Sequence, residues 1–473
     1  MDFTQWVRDH GGAMSKEHRL DYELDDRIEE ALITGHAGVP LVIELFRASG
    51  AAAVMDAQVQ LKQRARGLSV SQTAESLFAL WSAGGERCED LKQLVKDQAL
   101  EMLLGHAIAP CTTVRDFLER FHAEDLPLLQ AGAAASVPAA SSALQGLGVA
   151  NRQLLVWGQQ RTPERTATLD VDGSIYETHK RSALTSYQGT PGYQPVTVLW
   201  AEKDLIVHEE FRDGNVPAQS GNWRVVRAAL EQLPAGIEQR LLRGDAGLYE
   251  HELLRNLDRE KIGYAISAPL SRELAGRIAA LPEETWRELG RERDALRQWA
   301  EVDFCPGDRD WRKSGPVPRR YLAIRVLKTQ GALFADGSDR RHFAVVTNLD
   351  WAGEKIIRWH REKAGTIEHA HDVLKNGLAA GAFPSGKFGA NAAWFRLNAM
   401  LYNLLSLLKR ETLPGEFHTA KPKRLRFVLL NTVGRLVRHA GETLLRVVSG
   451  PIRTLHDLAR VAIHVKRQPL FGV

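Results

Sequence analysis

Apolar residues recur three or four positions apart through most of residues 1–130, in runs such as SVSQTAESLFALW and CEDLKQLVKDQALEMLLGH. This spacing is typical of amphipathic helices. It predicts a helical N-terminal region over residues 1–150. The stretch at residues 131–148 is poor in charge and rich in Ala, Gly and Ser, which predicts a linker or a lightly packed helix with a domain boundary near residue 150.

After residue 150 the pattern changes to short apolar runs bounded by turn residues. These runs are RTATLDVDGS, YQPVTVLWAEKDLIVHEEF, QRLLRGDAG and, after a helical stretch, IGYAISAP. Runs of this kind are typical of strands. Their order, a strand and a hairpin followed by helices that alternate with strands, predicts an α/β domain with a mixed sheet.

A second β-rich block follows, in which RYLAIRVLKTQ and RHFAVVTNLDW flank the charged turn ADGSDRR. We interpret this block as an inserted subdomain. From Gly365 onward the helical spacing returns in TIEHAHDVLKNGLAAG and NAAWFRLNAMLYNLLSLLKR, and the pattern predicts that a basic helical tail closes the chain.

Composition narrows the class of protein. Hydrophobic residues make up 44% and charged residues 25% of the chain, as in ordinary globular proteins. The N-terminus lacks the features of a signal peptide, and no apolar stretch has the length of a membrane span, so a cytoplasmic protein without a membrane partner is expected. Cys88, Cys111 and Cys305 lie far apart and are predicted to be free thiols.

The charge is distributed unevenly. From Arg396 to Val473 there are 14 Lys and Arg against 4 Asp and Glu, a net charge of +10, whereas the whole chain has a net charge of +4. A concentrated basic segment favours a phosphate-backbone partner, although a solvated basic surface would have the same composition.

Two acidic residues end the first predicted strand. Asp170 and Asp172 are two positions apart, so both project from one face of an extended strand, where one of them could hold a metal ion. An isolated Asp172-Gly173 pair is more often only a turn. A further acid, Asp245, follows the apolar run RLLRG, at the carboxyl end of a strand, where open α/β sheets bind their ligands.

A third candidate acid, Glu368, lies on a predicted helix. Glu368, His371, Asp372 and Lys375 share one face, opposite an apolar stripe. Taken alone, this face fits a solvated surface with an ordinary ion pair. A zinc site of His369, His371 and Cys305 is disfavoured, because histidines two positions apart on a helix point to different faces.

Together these segments resemble a known family. The runs are ATLDVDGSIYETHKRSA, EEFRDGNVPA, RLLRGDAGLY, REKAGTIEHAHDVLKNGLAAG and FGANAAWFRLNAMLYNLLSLLK. They are similar to the DDE transposases of bacterial insertion sequences, most closely the insertion sequence 1380 family, which is related to the larger insertion sequence 4 group. The resemblance extends from about residue 80 to the C-terminus.

The resemblance implies an α/β fold with a ribonuclease H-like catalytic domain that carries an inserted β-rich subdomain. With the patterns above, it divides the chain at the following ranges: a helical N-terminal region for DNA-end binding or dimerisation at 1–150, the catalytic domain at 151–255 and 356–410, the insertion at 256–355, and the basic helical C-terminal region at 411–473. Whether the first region contains a helix-turn-helix or only a helical bundle stays open.

The resemblance also implies roles for individual residues. The three catalytic, metal-binding acids map to Asp172, Asp245 and Glu368, with Asp170 as the nearest competitor for the first position. Lys375, seven residues after Glu368, would contact DNA. Lys180, Arg181, Arg361 and Lys363 are further candidate DNA contacts. The wider group places a Tyr and an Arg before its Glu; here those positions hold Arg361 and Ala364, so that role is unassigned.

The function implied is DNA transposition: cleavage at insertion-sequence ends and transfer of the 3′-hydroxyl strand into target DNA, with Mg²⁺ as cofactor, Mn²⁺ as a substitute, and two metal ions at one site. The partners implied are double-stranded DNA, as transposon ends and as target, and a second copy of the chain. Two alternatives remain, a ribonuclease H-fold nuclease that does not join strands and a domesticated DNA-binding protein.

Overall fold

The computed structural model describes residues 32–61, 67–122, 135, 137–180, 183–217, 219–292, 294–306, 319–328, 333–439, 442–447 and 450–465. The strands are β1 (Ile33–Thr34), β2 (Thr166–Gly173), β3 (Tyr176–Glu177), β4 (Leu184–Thr185), β5 (Pro191–Tyr193), β6 (Val196–Trp200), β7 (Leu205–Glu210), β8 (Gln239–Gly244), β9 (Gly263–Ala268), β10 (Arg287–Glu292), β11 (Ala295–Val302), β12 (Arg320–Lys328), β13 (Arg340–Thr347), β14 (Gly434–His439) and β15 (Glu442–Val447).

The α-helices are α1 (Val39–Ala48), α2 (Ala51–Gln58), α3 (Val70–Ala83), α4 (Leu91–Leu94), α5 (Gln98–Leu104), α6 (Cys111–Glu119), α7 (Ser142–Arg161), α8 (Asn222–Gln232), α9 (His251–Arg259), α10 (Arg272–Ala279), α11 (Gly353–Arg361), α12 (Lys363–Asp372), α13 (Phe388–Leu407), α14 (Pro422–Leu425) and α15 (Gly450–His464). Three of them, α12, α13 and α14, continue into π-helical turns, at Val373–Gly377, Leu408–Thr412 and Arg426–Leu430. The protein is therefore a mixed α/β structure, as the sequence predicts.

Nine strands form one mixed sheet in the order β10-β11-β12-β13-β9-β8-β2-β6-β7. At its centre β2 and β8 are parallel, as are β8 and β9. The remaining neighbours are antiparallel. Strand β6 is buried along its whole length and β2 over most of it. Strands covered on both faces need nearly continuous apolar sequences, which β6 has; the buried positions of β2 also include the polar residues Thr168 and Asp170.

The β-rich block predicted as an inserted subdomain instead extends this sheet. Strand β13 pairs with β9, and β12, β11 and β10 follow outward. Helix α11 covers one face of the extension, where Ile356 and Ile357 pack with Trp299 and Leu322. The interval between the second and third acids therefore widens the nine-stranded sheet rather than forming a separate sheet.

The boundary predicted near residue 150 falls inside helix α7, which runs without a break from Ser142 to Arg161. The stretch predicted as a linker or a lightly packed helix lies partly outside the described residues, and its last residues form the start of α7. The small residues there allow close packing, since a Cβ atom at Gly146 would lie 2.6 Å from the carbonyl oxygen of Gln58. On the other side, Asn151 donates to the carbonyl of Ile206 in β7 at 3.0 Å. Helix α7 thus joins the N-terminal helices to the sheet.

The basic C-terminal region is only partly helical. Strands β14 and β15 form a hairpin, and β14 pairs with β1 to complete a three-stranded sheet. Arg161 of α7 donates to the carbonyls of Ala462 and Ile463 in α15, at 2.5 and 2.7 Å. The region is built into the core of the protein. Among the described residues, none of the helices combines the length and the apolarity that crossing a bilayer requires.

Candidate active site

The register of the central strands brings two of the predicted acids to the same edge of the sheet. In the parallel pair β2 and β8, Asp170 lies opposite Arg243 and Val171 opposite Gly244. The next residues in register are Asp172 and Asp245. Because side chains alternate along a strand, Asp172 shares a face with Asp170, and Asp245 shares that face with Arg243.

Asp170 is closed off by its neighbours. Its side chain is fully buried, and both of its oxygens accept hydrogen bonds from Arg243, at 2.6 Å from Nε and 2.9 Å from Nη2. Thr366 of α12 donates a further, short hydrogen bond to Asp170. The same guanidinium donates at 2.7 Å to the carbonyl of Trp359 in α11. A carboxylate bound in this way has little capacity left for a metal ion.

Asp172 lies in a different environment. Its side chain is 19% exposed, and its Oδ2 is 3.7 Å from Nζ of Lys363 and 3.9 Å from Nε2 of His371. Burial raises the pKa of Asp172 to about 6; Lys363 counteracts this rise, and the negative charges of Asp245 and Glu368 add to it. The three predicted acids are therefore near enough for their charges to act on one another.

Asp245 begins a 3₁₀ turn at Ala246–Leu248, directly after β8. Its Oδ1 accepts a hydrogen bond of 2.9 Å from the backbone N–H of Gly247, and the residue is exposed. Next to it, the carbonyl of Gly244 lies 3.0 Å from Nε2 of His360 in α11. The turn therefore orients one carboxylate oxygen and leaves the other accessible.

Helix α12 contacts β2 and carries the third predicted acid. Ile367 and Ala370 are fully buried beneath the helix, whereas Glu368 is exposed. In the described part of the chain, no three His, Cys, Asp or Glu side chains converge closely enough to ligate one metal ion. The structure thus places Asp172, Asp245 and Glu368 in one neighbourhood without bringing their oxygens to a common point.

Two more residues of the predicted helix face point toward Asp172. Burial lowers the pKa of His371 to about 3, so its imidazole is neutral at pH 7, and neither ring nitrogen has a hydrogen-bond partner among the described residues. Lys375 lies over the ring of Tyr176, with Nζ 4.9 Å from the ring centroid. Burial lowers the pKa of Lys375, and the negative charges of Asp172 and Glu177 oppose that shift.

The remaining predicted DNA contacts divide into three cases. Lys363 is buried beside Asp172 rather than on the surface. Arg361 is exposed, close enough to Glu292 of the sheet extension for its charge to help lower that residue's pKa. Lys180 lies in the loop after β3 and is partly exposed, and Arg181 lies outside the described residues.

Sequence reasoning missed Arg243 and Thr366, which hold Asp170 in place. A signal was present, because Arg243 precedes Asp245 by two positions just as Asp170 precedes Asp172. If the two strands are parallel neighbours in register, the arginine must face the inner aspartate. Without knowledge of that register, the sequence shows Arg243 only as an isolated basic residue in an apolar strand.

Comparison with known proteins finds a family and a solved structure that are similar to this chain. The family described as Transposase DDE domain group 1 matches residues 30–462. The piggyBac transposase synaptic complex with hairpin DNA, solved by cryo-electron microscopy, is a structural neighbour with a TM-score of 0.39 and 11% sequence identity. That match covers 90% of this chain and 81% of the other. No curated protein matches the sequence.

Proposed function

Because the chain belongs to the Transposase DDE domain group 1 family, we propose that it is a DNA transposase that cleaves at the ends of an insertion sequence and transfers the 3′-hydroxyl strand into target DNA. The observation that carries this proposal is the register of β2 and β8. The paired residues Val171 and Gly244 directly precede Asp172 and Asp245 at the carboxyl edge of the sheet, and the helix that bears Glu368 contacts β2.

The chemistry of the three acids suits a divalent metal ion, although their oxygens do not converge on one point in this structure. DDE transposases use divalent metal ions, and we propose Mg²⁺ here, with Mn²⁺ as a substitute, held by Asp172, Asp245 and Glu368. All three offer carboxylate oxygens, which hard cations prefer. Burial, with a smaller contribution from repulsion by Asp245 and Glu368, raises the pKa of Asp172 to about 6. Positive charge between the acids would offset that repulsion.

Bound metal ions would activate the attacking water or 3′-hydroxyl and stabilise the leaving oxygen. The chain's own groups do the rest. Lys363 and Lys375 flank Asp172 and would hold a phosphate of the substrate strand. The Arg243–Asp170 pair ties β2, β8 and α11 together, so the strands that carry two of the acids cannot slide apart.

Other features extend the proposal. The strand order β7-β6-β2-β8-β9, with its parallel centre, supports a ribonuclease H-like core. The sequence motifs support a bacterial element, most closely of the insertion sequence 1380 family. The basic C-terminal region, Arg361 and Lys180 supply positive surface for double-stranded DNA. Two element ends must meet in transposition, so we propose a homodimer in the DNA complex, acting in the cytoplasm.

A plasmid assay tests the proposal. The purified chain is incubated with Mg²⁺, a target plasmid and a linear duplex that carries the DNA flanking the gene. We expect nicked ends and joined product, and neither with Asp172→Asn. Cleavage without joining would identify a nuclease of the same fold. Binding without cleavage by the folded parent in either Mg²⁺ or Mn²⁺ would identify a DNA-binding protein derived from a transposase.

A further inference from the structure

The segment from His418 to His439 carries six basic residues and no acidic one. Its helical part is α14 together with the π-helical turn that follows it. Leu425, Leu429 and Leu430 are fully buried, while four residues face outward. We call these four the cationic helix face: Lys421, Lys423, Arg424 and Phe427.

Phe427 is the anomaly on this face. It is 87% exposed, more than any other large hydrophobic residue among those described. The backbone around it is firmly held, because the neighbouring Arg426 donates to the carbonyls of Ser82 at 3.2 Å and Gly377 at 2.8 Å. Its exposure therefore belongs to a fixed, well-anchored element.

The cationic helix face adjoins the candidate active site. Nζ of Lys421 lies 2.7 Å from Oδ2 of Asp372, which is one helical turn beyond Glu368 on α12. Gly377 ends the π-helical turn that contains Lys375, and a Cβ atom there would lie 3.1 Å from Cγ of Pro422. The cationic helix face therefore lies directly beside α12, the helix that carries the third proposed acid.

Charge decides which partner fits this face. In a symmetric dimer the same patch meets itself, and Lys423 would then oppose cationic side chains of the second copy. Interfaces between proteins are also depleted in lysine. A DNA duplex has the opposite requirement: its phosphates bind Lys and Arg, and proteins that deform it insert apolar side chains between base steps.

We propose that Phe427 is an apolar wedge that enters duplex DNA at a base step beside the cleavage site, while Lys423 and Arg424 bind the phosphates next to it. The inference rests on the proposed function, which supplies the DNA. Phe427 is then the side chain that deforms the duplex, and the deformation lies next to α12.

The test compares two duplex oligonucleotides of the same mixed sequence, one fully paired and one with adjacent mismatches at its centre. An insertion that must unstack a base step costs less where the stack is already weakened. We expect the parent to bind the mismatched duplex about tenfold more tightly. Phe427→Ala should lose this preference and keep the salt dependence of binding, whereas Phe427→Leu should retain part of the preference.

Charge variants give the complementary result. A plot of the logarithm of the binding constant against the logarithm of the salt concentration should have a slope smaller in magnitude by about one for Lys423→Gln and for Arg424→Gln. Both variants should keep the preference for the mismatched duplex. Val461→Ala is the matched control, because Val461 is also apolar and 63% exposed but lies on α15. It should change neither quantity. Circular dichroism and sedimentation of every variant report its folding and assembly.

The outcomes separate the two proposals. If Phe427→Ala binds the mismatched duplex preferentially, as the parent does, the wedge is wrong even though Asp172-dependent cleavage stands. If Phe427→Ala converts a dimer into monomers, the face is an interface between copies and the wedge is again overturned. If the parent binds neither duplex and cleaves no DNA, the proposed transposase function fails as well.

Discussion

Asp170 and Asp172 are the same residue type, two positions apart on one face of one strand, and their surroundings are opposite. Asp170 is fully buried, and both of its oxygens are bound by Arg243 and Thr366. Asp172 is partly open and has a pKa of about 6, raised chiefly by burial with contributions from two further acids.

The contrast teaches that two carboxylates of the same type and direction can differ in whether their oxygens already have hydrogen-bond partners, and only Asp172 keeps an oxygen available for a ligand. A buried ion pair costs desolvation of both charges, and removing one partner leaves the other uncompensated. A carboxylate that keeps repelling neighbours instead favours binding of a cation. Substitutions at the two positions should therefore have separable consequences.

The largest effect is expected on DNA cleavage, from substitutions of the proposed metal-binding acids. Asp172→Asn and, independently, Glu368→Gln should lower strand cleavage at least a thousandfold, about 4 kcal/mol in barrier. An amide keeps the shape of the carboxylate but no longer compensates a hard cation. Cleavage in Mg²⁺ and Mn²⁺ and end binding by gel shift would be measured on the same preparations.

Binding should stay within a few-fold of the parent in both variants. If folded Glu368→Gln cuts within about tenfold of the parent rate, a difference of only ~1.4 kcal/mol, Glu368 is not the third ligand. The search would then move along the helices to Asp372 and Glu362.

The second largest effect is expected on the stability of the fold, from substitution of the buried Asp170. Asp170→Asn should lower the free energy of unfolding by about 3–5 kcal/mol, because it removes the buried counterion of Arg243 and leaves only Glu362, which is 66% exposed and whose Oε2 lies 3.1 Å from Nη1. Urea denaturation measures this, with Asp172→Asn as the matched control that should not be destabilised. A loss under about 1 kcal/mol would mean that water or the existing pair with Glu362 compensates the charge of Arg243.

The third effect is the pH dependence of stability. The pKa of Asp172 is raised from its ordinary value of 3.8 to about 6 in the folded chain, so its ionisation opposes folding. This cost is present in full above about pH 6 and disappears as the pH falls toward 4. With a chelator present, Asp172→Asn should be more stable than the parent at pH 7 by on the order of 3 kcal/mol, and equally stable near pH 4.

The measurement is urea denaturation across that range for both proteins. Two stability curves that run parallel from pH 4 to pH 7 would contradict the raised pKa of Asp172.

The smallest effect is expected from Thr366 of α12, which donates a hydrogen bond to Asp170. Thr366→Val removes one hydrogen bond to Asp170 and preserves shape, so we expect a loss of about 1 kcal/mol in unfolding free energy and little change in cleavage. If cleavage falls more than tenfold while the helix stays folded, Thr366 also positions Glu368, two residues away. The structural role of Asp170 and the proposed catalytic role of Asp172 would then not be fully separable.

Much of the architecture was readable from local patterns. The central strands and the helices after Gly365 were predicted because continuous apolar runs and helical spacing directly reflect burial. Strands β10 and β11 were not predicted, since their sequence RELGRERDALRQWAEV is highly charged. Their pairing depends on the neighbouring strand rather than on their own apolar residues.

The candidate site shows the same limit. Asp172, Asp245 and Glu368 were proposed from motif resemblance and from their positions after strands or on a helix face. The pairing of Arg243 with Asp170, and the burial of Lys363 and His371, depend on register and on helix packing between segments far apart in sequence. Neither can be obtained from the periodicity of a single segment.

The pairing of β1 with β14 has a consequence for synthesis of the protein. Ile33 pairs with Arg435, about four hundred residues later, and the N–H of Ala37 donates to the carbonyl of Thr432 at 3.0 Å. At roughly 5–20 residues per second, a ribosome needs on the order of half a minute to make the second partner after the first. The three-stranded sheet of β1, β14 and β15 therefore cannot form until the hairpin has been synthesised.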